Sequence, residues 1–320
     1  MPEPLLQQPK QQEDEADVGE IVRVETSLVT VAATVTDSKG RYVSNLRQED
    51  FRITENGVEQ KIAHFEPVEK PFTVALLLDT SGSTAFRLED IQKAALAFID
   101  QLSPDDRVMV VAFNDRVRLL IEPTSDREAL RKAINLKPSD TGSFLYDVVE
   151  YVLKEQLSRI QGRKAIVLFT DGVDNVSAGA THASNIRAIE QAEVLVYPIQ
   201  FDTFTVKEEV KAIGDFTGSV DIKRTKIYPP GFTAQHYQRA DAYLHDVAKR
   251  SGTRFYHAGD LKKLSEAFEL IAQDLRRQYS LGYYPQTPAQ PGQRRQLNVS
   301  VAKRGLTVRA RGSYTAASRN

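Results

Sequence analysis

Six short apolar runs, most of them separated by a stretch of helical periodicity, constrain this chain more than any other feature of it. They are "FTVALLLD", "RVMVVAF", "RVRLLIEPT", "KAIVLFTD", "VLVYPIQF" and "TRFYHA". A run such as "FTVALLLD" has no polar alternation, so it belongs to a strand covered on both faces, as strands of a parallel sheet are. Between the runs, Leu88, Ile91, Ala95, Phe98, Ile99 and Leu102 recur at three- and four-residue spacing in "RLEDIQKAALAFIDQL", the stripe of a helix laid on a sheet. Further helices are expected at roughly 126–135, 144–160 and 181–192, then over "YQRADAYLHDVAKRSG" and "DLKKLSEAFELIAQDLRRQ". Strands alternating with helices predict an α/β fold with a doubly wound, mostly parallel sheet and right-handed crossovers. "RVRLLIEPT" follows its predecessor after a two-residue turn, too short for a crossover, and is expected antiparallel at the sheet edge.

The flanks have a different rhythm. "IVRVETSLVTVAATVTDSKGRYV" alternates and is rich in Val and Thr, predicting two antiparallel strands about the turn "DSKGR". "FRITENGVEQKIAHFEPV" continues with a strand, a turn and another strand, and "PVEKP" breaks the ladder. The tail returns to strand character in "YSLGYYP", "RRQLNVSVA" and "LTVRARGSY". The expected organisation is a leader over 1–20, an N-terminal β-rich module over 21–69, the α/β domain over 70–278 and a C-terminal β segment over 279–320 that completes a small β-sandwich-like module. Residues 202–236 form an insertion of unassigned structure in the α/β domain. The leader "MPEPLLQQPKQQEDEADVGE" has no apolar core of a signal peptide and is polar enough to be disordered.

Composition excludes several classes. Lys and Arg (42) balance Asp and Glu (43), so no overall field draws the chain to nucleic acid. There is no cysteine, hence no disulfide, thiolate metal site or cysteine nucleophile. No run reaches the ~18 apolar residues of a membrane-spanning helix. The five histidines are scattered without zinc-ligand spacing. "DTSGST" lacks both the Gly-x-Ser-x-Gly of a nucleophile elbow and the terminal Gly-Lys-Ser/Thr of a phosphate loop.

What remains is a question of carboxylates. Two of the buried strands end in an acid, Asp79 after "VALLL" and Asp171 after "IVLFT". In the strand order 3-2-1-4-5-6 they belong to adjacent strands at the switch point, where open α/β sheets place their crevice. Ser81 and Ser83 follow Asp79, and "SDTGSFLYD" brings Ser143, with Thr141 beside it, from a segment just before a helix. Carboxylates and hydroxyls with no nitrogen or sulfur are the donor set of a hard cation such as Mg²⁺. Taken singly, Asp79 and Ser143 read as helix caps, and Asp174 in "DGVDN" as a turn acid.

The motifs carry a resemblance. Asp79, Ser81 and Ser83 match the Asp-x-Ser-x-Ser signature of the von Willebrand factor type A domain, and "IVLFTDGVDN" is similar to that domain's fourth-strand segment. The resemblance covers about residues 70–280. The β-rich ends also resemble the bacterial "VWFA-related" proteins. In the family such residues form a metal-ion-dependent adhesion site, whose open coordination position is filled by a partner's carboxylate. The resemblance implies that Asp79, Ser81 and Ser83 are first-loop ligands, that Ser143 stands where threonine is usual, and that Asp171 coordinates directly or through water. It implies Mg²⁺, with Mn²⁺ or Ca²⁺ as substitutes, and a protein partner offering a carboxylate. The expected function is therefore a metal-dependent binding module of an exported protein, not an enzyme. A Mg²⁺-dependent enzyme and a scaffold binding through its β-module are the alternatives.

Overall fold

The computed structural model describes residues 28–68, 71–84, 88–137, 142–192, 194–213 and 219–316, with their side chains except at 68, 205–213 and 219–224. The leader expected over 1–20, residues 69–70 of the expected boundary and Thr141 lie outside the described residues.

Strand β1 (Val29–Asp37) buries alternate positions at its start, as a strand with one covered face must. The second strand expected after "DSKGR" does not form. Asp37 turns the chain by accepting from the amides of Lys39 and Arg41, both at 2.9 Å, and the return limb makes one isolated bridge, Thr36 to Tyr42. The reason is that strands from the C-terminal tail, defined below, occupy both edges of β1. Strands β2 (Phe51–Glu55) and β3 (Val58–Gln60) form a hairpin on Asn56 and Gly57. Both turn residues have positive φ, 49° and 83°, the backbone that matches strand twist in two-residue hairpins. Strand β4 (Ile62–Val68) follows.

The α/β unit begins with β5 (Phe72–Asp79), buried at all eight positions. It continues through α1 (Leu88–Gln101), β6 (Arg107–Phe113), β7 (Val117–Thr124), α2 (Arg127–Ala133) and α3 (Leu145–Tyr151). The single helix expected over 144–160 is shorter: α3 gives way to a π-helical turn at Val152–Gln156 and a 3-10 turn at Leu157–Arg159. There the Ser158 hydroxyl donates to the Lys154 carbonyl at 2.5 Å, a local bond that competes with the helix ladder. Then come β8 (Arg163–Thr170), α4 (His182–Gln191) and β9 (Leu195–Phe201). The insertion is a hairpin of β10 (Thr205–Ile213) and β11 (Ser219–Ile227), antiparallel throughout. Helix α5 (Ala234–Ser251), β12 (Tyr256–Ala258) and α6 (Leu261–Arg276) close the unit.

The six strands lie in the order β12-β9-β8-β5-β6-β7. All neighbours are parallel except β6 and β7, so the edge strand runs antiparallel as its short turn demands. Counted from β5, this is the order 3-2-1-4-5-6 read from the far side, and β5 and β8 are neighbours at its centre. One core joins the sheet to α1, α2 and α6, with Phe98, Phe169 and Phe268 fully buried. Another joins the opposite face to α3, α4 and α5, with Tyr243 at 0% exposure.

The tail supplies β13 (Gln278–Tyr283), β14 (Arg294–Val301), β15 (Leu306–Ala310) and β16 (Ser313–Thr315). They interleave with the N-terminal strands in two four-stranded sheets, β15-β1-β13-β4 and β16-β14-β2-β3, around a shared core that includes Val31, Ile53, Leu281 and Leu297. Tyr279 and Tyr283 are buried in that core, whereas Tyr284 is exposed. Two buried acids tie the modules together. Asp274 on α6 accepts from Thr34 of β1 at 2.9 Å and Arg309 of β15 at 2.5 Å. Glu190 on α4 accepts from Arg294 at 3.1 Å and Ser313 at 2.9 Å, and from Arg250 of α5 at 3.1 Å.

Candidate metal centre

Strand β5 delivers Asp79 to the carboxyl end of the sheet, and β8, its parallel neighbour, delivers Thr170 and Asp171 beside it. Both carboxylates are at most 1% exposed. Asp79 Oδ1 accepts from the Ser81 amide at 3.0 Å, and Oδ2 accepts from the Thr170 hydroxyl at 2.6 Å. The first loop is stiffened from within, because the Thr84 hydroxyl donates to the carbonyls of Asp79 and Ser81, each at 3.0 Å. That holds Ser81 and Ser83 with their hydroxyls 3.2 Å apart. Asp171 Oδ1 accepts from the Val173 amide and Oδ2 from the Thr203 hydroxyl, both at 3.0 Å, and the Ser83 hydroxyl nearby favours its ionised form.

Two acids buried side by side resist ionisation. Burial, and then the negative charge of Asp171, push the Asp79 carboxyl up to about 7. Burial raises Asp171 as well. Hydrogen bonds from the hydroxyls and amides offset only part of this. No Lys, Arg or His side chain donates to either carboxylate among the described residues.

Ser143 comes from the loop before α3. Its amide donates to Asn175 Oδ1 at 2.8 Å, and its carbonyl accepts from the Asn175 amide at 3.3 Å. Gly142 makes this clasp possible, since a Cβ there would sit 2.2 Å from Val176 Cγ2 and 2.6 Å from Asn175 Oδ1. Ser143 is 4% exposed, and its Oγ has no hydrogen-bond partner among the described residues. Such an orphan is uncommon, because a buried hydroxyl without a partner costs about 1–3 kcal/mol. Ser81, Ser83 and Ser143 line one pocket of about 260 Å³ together with Val173, Asn175, Pro229, Pro230 and Phe232.

The structure thus brings Asp79, Ser81, Ser83 and Asp171 together at the carboxyl end of β5 and β8 and sets Ser143 on the pocket that Ser81 and Ser83 line. The donor set, two carboxylates and three hydroxyls with an unsatisfied oxygen among them, fits a hard divalent cation. Asp174 is occupied elsewhere. Its carboxylate accepts from the Tyr146 amide at 2.9 Å in the first turn of α3 and from the Ser177 hydroxyl at 2.5 Å, the turn chemistry expected of it. A larger crevice of about 420 Å³ lies at the other end of β8, between Arg163 and Lys164 and the sandwich strands. None of the five candidate site residues lines it.

Sequence reasoning missed four supporting residues. Thr170 and Asn175 stood inside a quoted motif without a role. Thr203 and Tyr237, whose hydroxyls bond each other beside Asp171, carried no site role: Tyr237 was quoted only as the start of a helix, and the signal available for Thr203 was that it follows β9 at the same carboxyl rim. Gly172 fits here too. Its φ is 83°, and a Cβ would sit 2.8 Å from Leu244 and 3.0 Å from Ala240, so the turn after Asp171 packs against α5.

Thr203→Val is expected to weaken Mn²⁺ binding by about 10- to 100-fold, the usual cost of removing a partner that orients a metal ligand. Calorimetric titration reads this directly. Unchanged affinity would remove Thr203 from the site.

Residues 74–173 match the family model described as the von Willebrand factor type A domain. An uncharacterized protein of Synechocystis sp. is 32% identical over 128 residues, 39% of this chain and 29% of that protein. A UPF0353 protein of Nocardia farcinica is 26% identical over 228 residues, 63% of each chain. The chain therefore spans less than two thirds of either relative. Among solved structures, a von Willebrand factor type A protein from Catenulispora acidiphila aligns with 86% of this chain and 75% of its own, at 15% identity and a TM-score of 0.49. Proximal thread matrix protein 1 from the mussel byssus, with a zinc-occupied MIDAS motif, aligns with 69% of this chain and 49% of its own, at 17% identity and a TM-score of 0.47.

Proposed function

We propose, from the premise that residues 74–173 are a von Willebrand factor type A domain, that this chain is a metal-dependent protein-binding module and not an enzyme. Asp79, Ser81, Ser83, Ser143 and Asp171 would hold one Mg²⁺, with Mn²⁺ or Ca²⁺ able to replace it. When bound, the ion supplies positive charge that a carboxylate from a partner protein can complete. The observation that carries this reading is the buried Ser143 Oγ without a partner, on the pocket shared with Ser81 and Ser83.

The chain's own residues do the positioning. Thr84 and Thr170 hold the first loop and Asp79, Thr203 holds Asp171, and Asn175 clamps the Ser143 backbone. Among the described residues, no histidine or lysine lines the pocket to serve as a general base or acid, which favours binding over catalysis. No helix among the described residues is long and apolar enough to cross a membrane. We place the protein outside the cytoplasm, where a chain without cysteine has nothing to lose to oxidation; fractionation of the source cells tests that placement, and a purely cytoplasmic pool would refute it.

An array of short peptides, probed with the chain in Mg²⁺ and again in EDTA, tests the function. Peptides bearing Asp or Glu should be retained in Mg²⁺ alone, and Ser143→Ala should weaken that retention. Equal retention in EDTA would overturn the reading.

A further inference from the structure

The pocket at the site hydroxyls has a wall that lies outside the matched residues 74–173. After β11 the chain returns to α5 through Tyr228–Thr233, and Pro229, Pro230 and Phe232 of this return line the pocket with Ser81, Ser83 and Ser143. The return is a built structure. The Phe232 amide donates to the Pro229 carbonyl at 3.0 Å, closing a turn whose two prolines have fixed φ. Tyr228 packs on Tyr237 with ring centroids 5.1 Å apart, Phe204 meets Tyr237 edge-on at 5.5 Å, and Phe232 lies 6.5 Å from the same ring. Val173, which also lines the pocket, is buried in this aromatic cluster. Tyr237 in turn bonds Thr203, the donor to Asp171. One aromatic cluster therefore supports both the wall and a site acid.

Among the described residues, no charged side chain lines this pocket. An incoming carboxylate would find its charge partner only at the floor, and its neighbours would lie against proline and phenylalanine. Further charges brought there would lose water and gain no partner, whereas apolar neighbours gain contact.

We infer that Pro229, Pro230 and Phe232 select the partner: the acid that reaches the site comes from a peptide segment with an apolar residue next to it, and a densely acidic segment is rejected. This rests on the reading of the five oxygen-bearing residues as a cation site. One apolar contact is worth about tenfold or more in discrimination, so the preference is measurable.

The experiment uses three labelled peptides with one central Asp flanked by Leu, by Ser or by Glu, and follows their fluorescence anisotropy with the full chain in Mg²⁺. The Leu-flanked peptide should bind at least about tenfold more tightly than the Glu-flanked one. Pro230→Ser, at an exposed position, should bring the ratio towards one while the Mn²⁺ affinity stays that of the unaltered chain, and Phe232→Ser, whose ring also packs on Tyr237, should bring the ratio towards one when compared at saturating Mg²⁺. The inference is overturned if all three peptides bind alike in a Mg²⁺-dependent manner, or if the preference survives both substitutions; either result leaves the cation reading standing. Absence of Mg²⁺-dependent binding for every peptide would overturn both together.

Discussion

Glu55→Ala is expected to destabilise the sandwich module by about 3–5 kcal/mol, the usual result of removing one partner from a buried ion pair. Glu55 and Arg295 are 4% and 3% exposed and face each other in the middle of the module. The carboxylate also accepts from the hydroxyls of Tyr283 at 2.6 Å and Tyr314 at 2.9 Å. The substitution therefore strands a guanidinium and two phenols at once. Arg295 would keep the carbonyls of Thr287 and Pro288, at 2.6 and 2.8 Å, which engage two of its N–H groups without balancing its charge. Urea denaturation followed by amide exchange in β2, β13 and β14 measures the loss. A change below about 1 kcal/mol, within the range of an exposed pair, would contradict this account of the core.

The second large effect has opposite signs in two conditions. Asp79→Asn removes one of two buried like charges while preserving shape, and the amide oxygen can still accept from Ser81. In EDTA near pH 8 the variant should be more stable than the unaltered chain, by an amount on the order of 2 kcal/mol. The sign follows from Asp79 itself. Its folded-state value near 7 lies above the ordinary 3.8, so the metal-free folded chain binds more protons than the unfolded one between those values. Stability in EDTA should accordingly fall as pH rises through that window, and the fall should shrink in the variant. With Mn²⁺ at about one hundred times its dissociation constant, the unaltered chain should gain about 2.7 kcal/mol and the variant close to nothing. Thermal melts with and without EDTA read all of these. A variant that Mn²⁺ stabilises as much as the unaltered chain would remove Asp79 from the ligand set.

Much of this architecture was legible because burial writes itself into sequence. A strand covered on both faces has to be apolar throughout, as "FTVALLL" is, and the acid that ends it then stands out. Asp79 and Asp171 could be placed beside each other because the common order 3-2-1-4-5-6 of such sheets makes their two strands neighbours. The limits are equally physical. Whether the limb after β1 forms a strand depends on which edges of β1 the tail has taken, a matter of residues 278–310 that no local window contains. The β10–β11 hairpin carries charges through both strands and no run of apolar alternation, so periodicity gave it no signature. Thr203 and Tyr237 were missed for another reason: their role exists only once β9 and α5 have brought them to Asp171. The wall of Pro229, Pro230 and Phe232 had turn-forming composition, which says where a chain bends and not what it faces.

The most direct test of the cation site is equilibrium titration of the metal-free protein with Mn²⁺, followed by the loss of the free-ion paramagnetic resonance signal. The account predicts one ion per chain, displaced by excess Mg²⁺, with binding weakened in Ser143→Ala and abolished in Asp79→Asn. A free-ion signal that rises in step with added Mn²⁺ from the first addition, or binding that Asp79→Asn leaves intact, would contradict it.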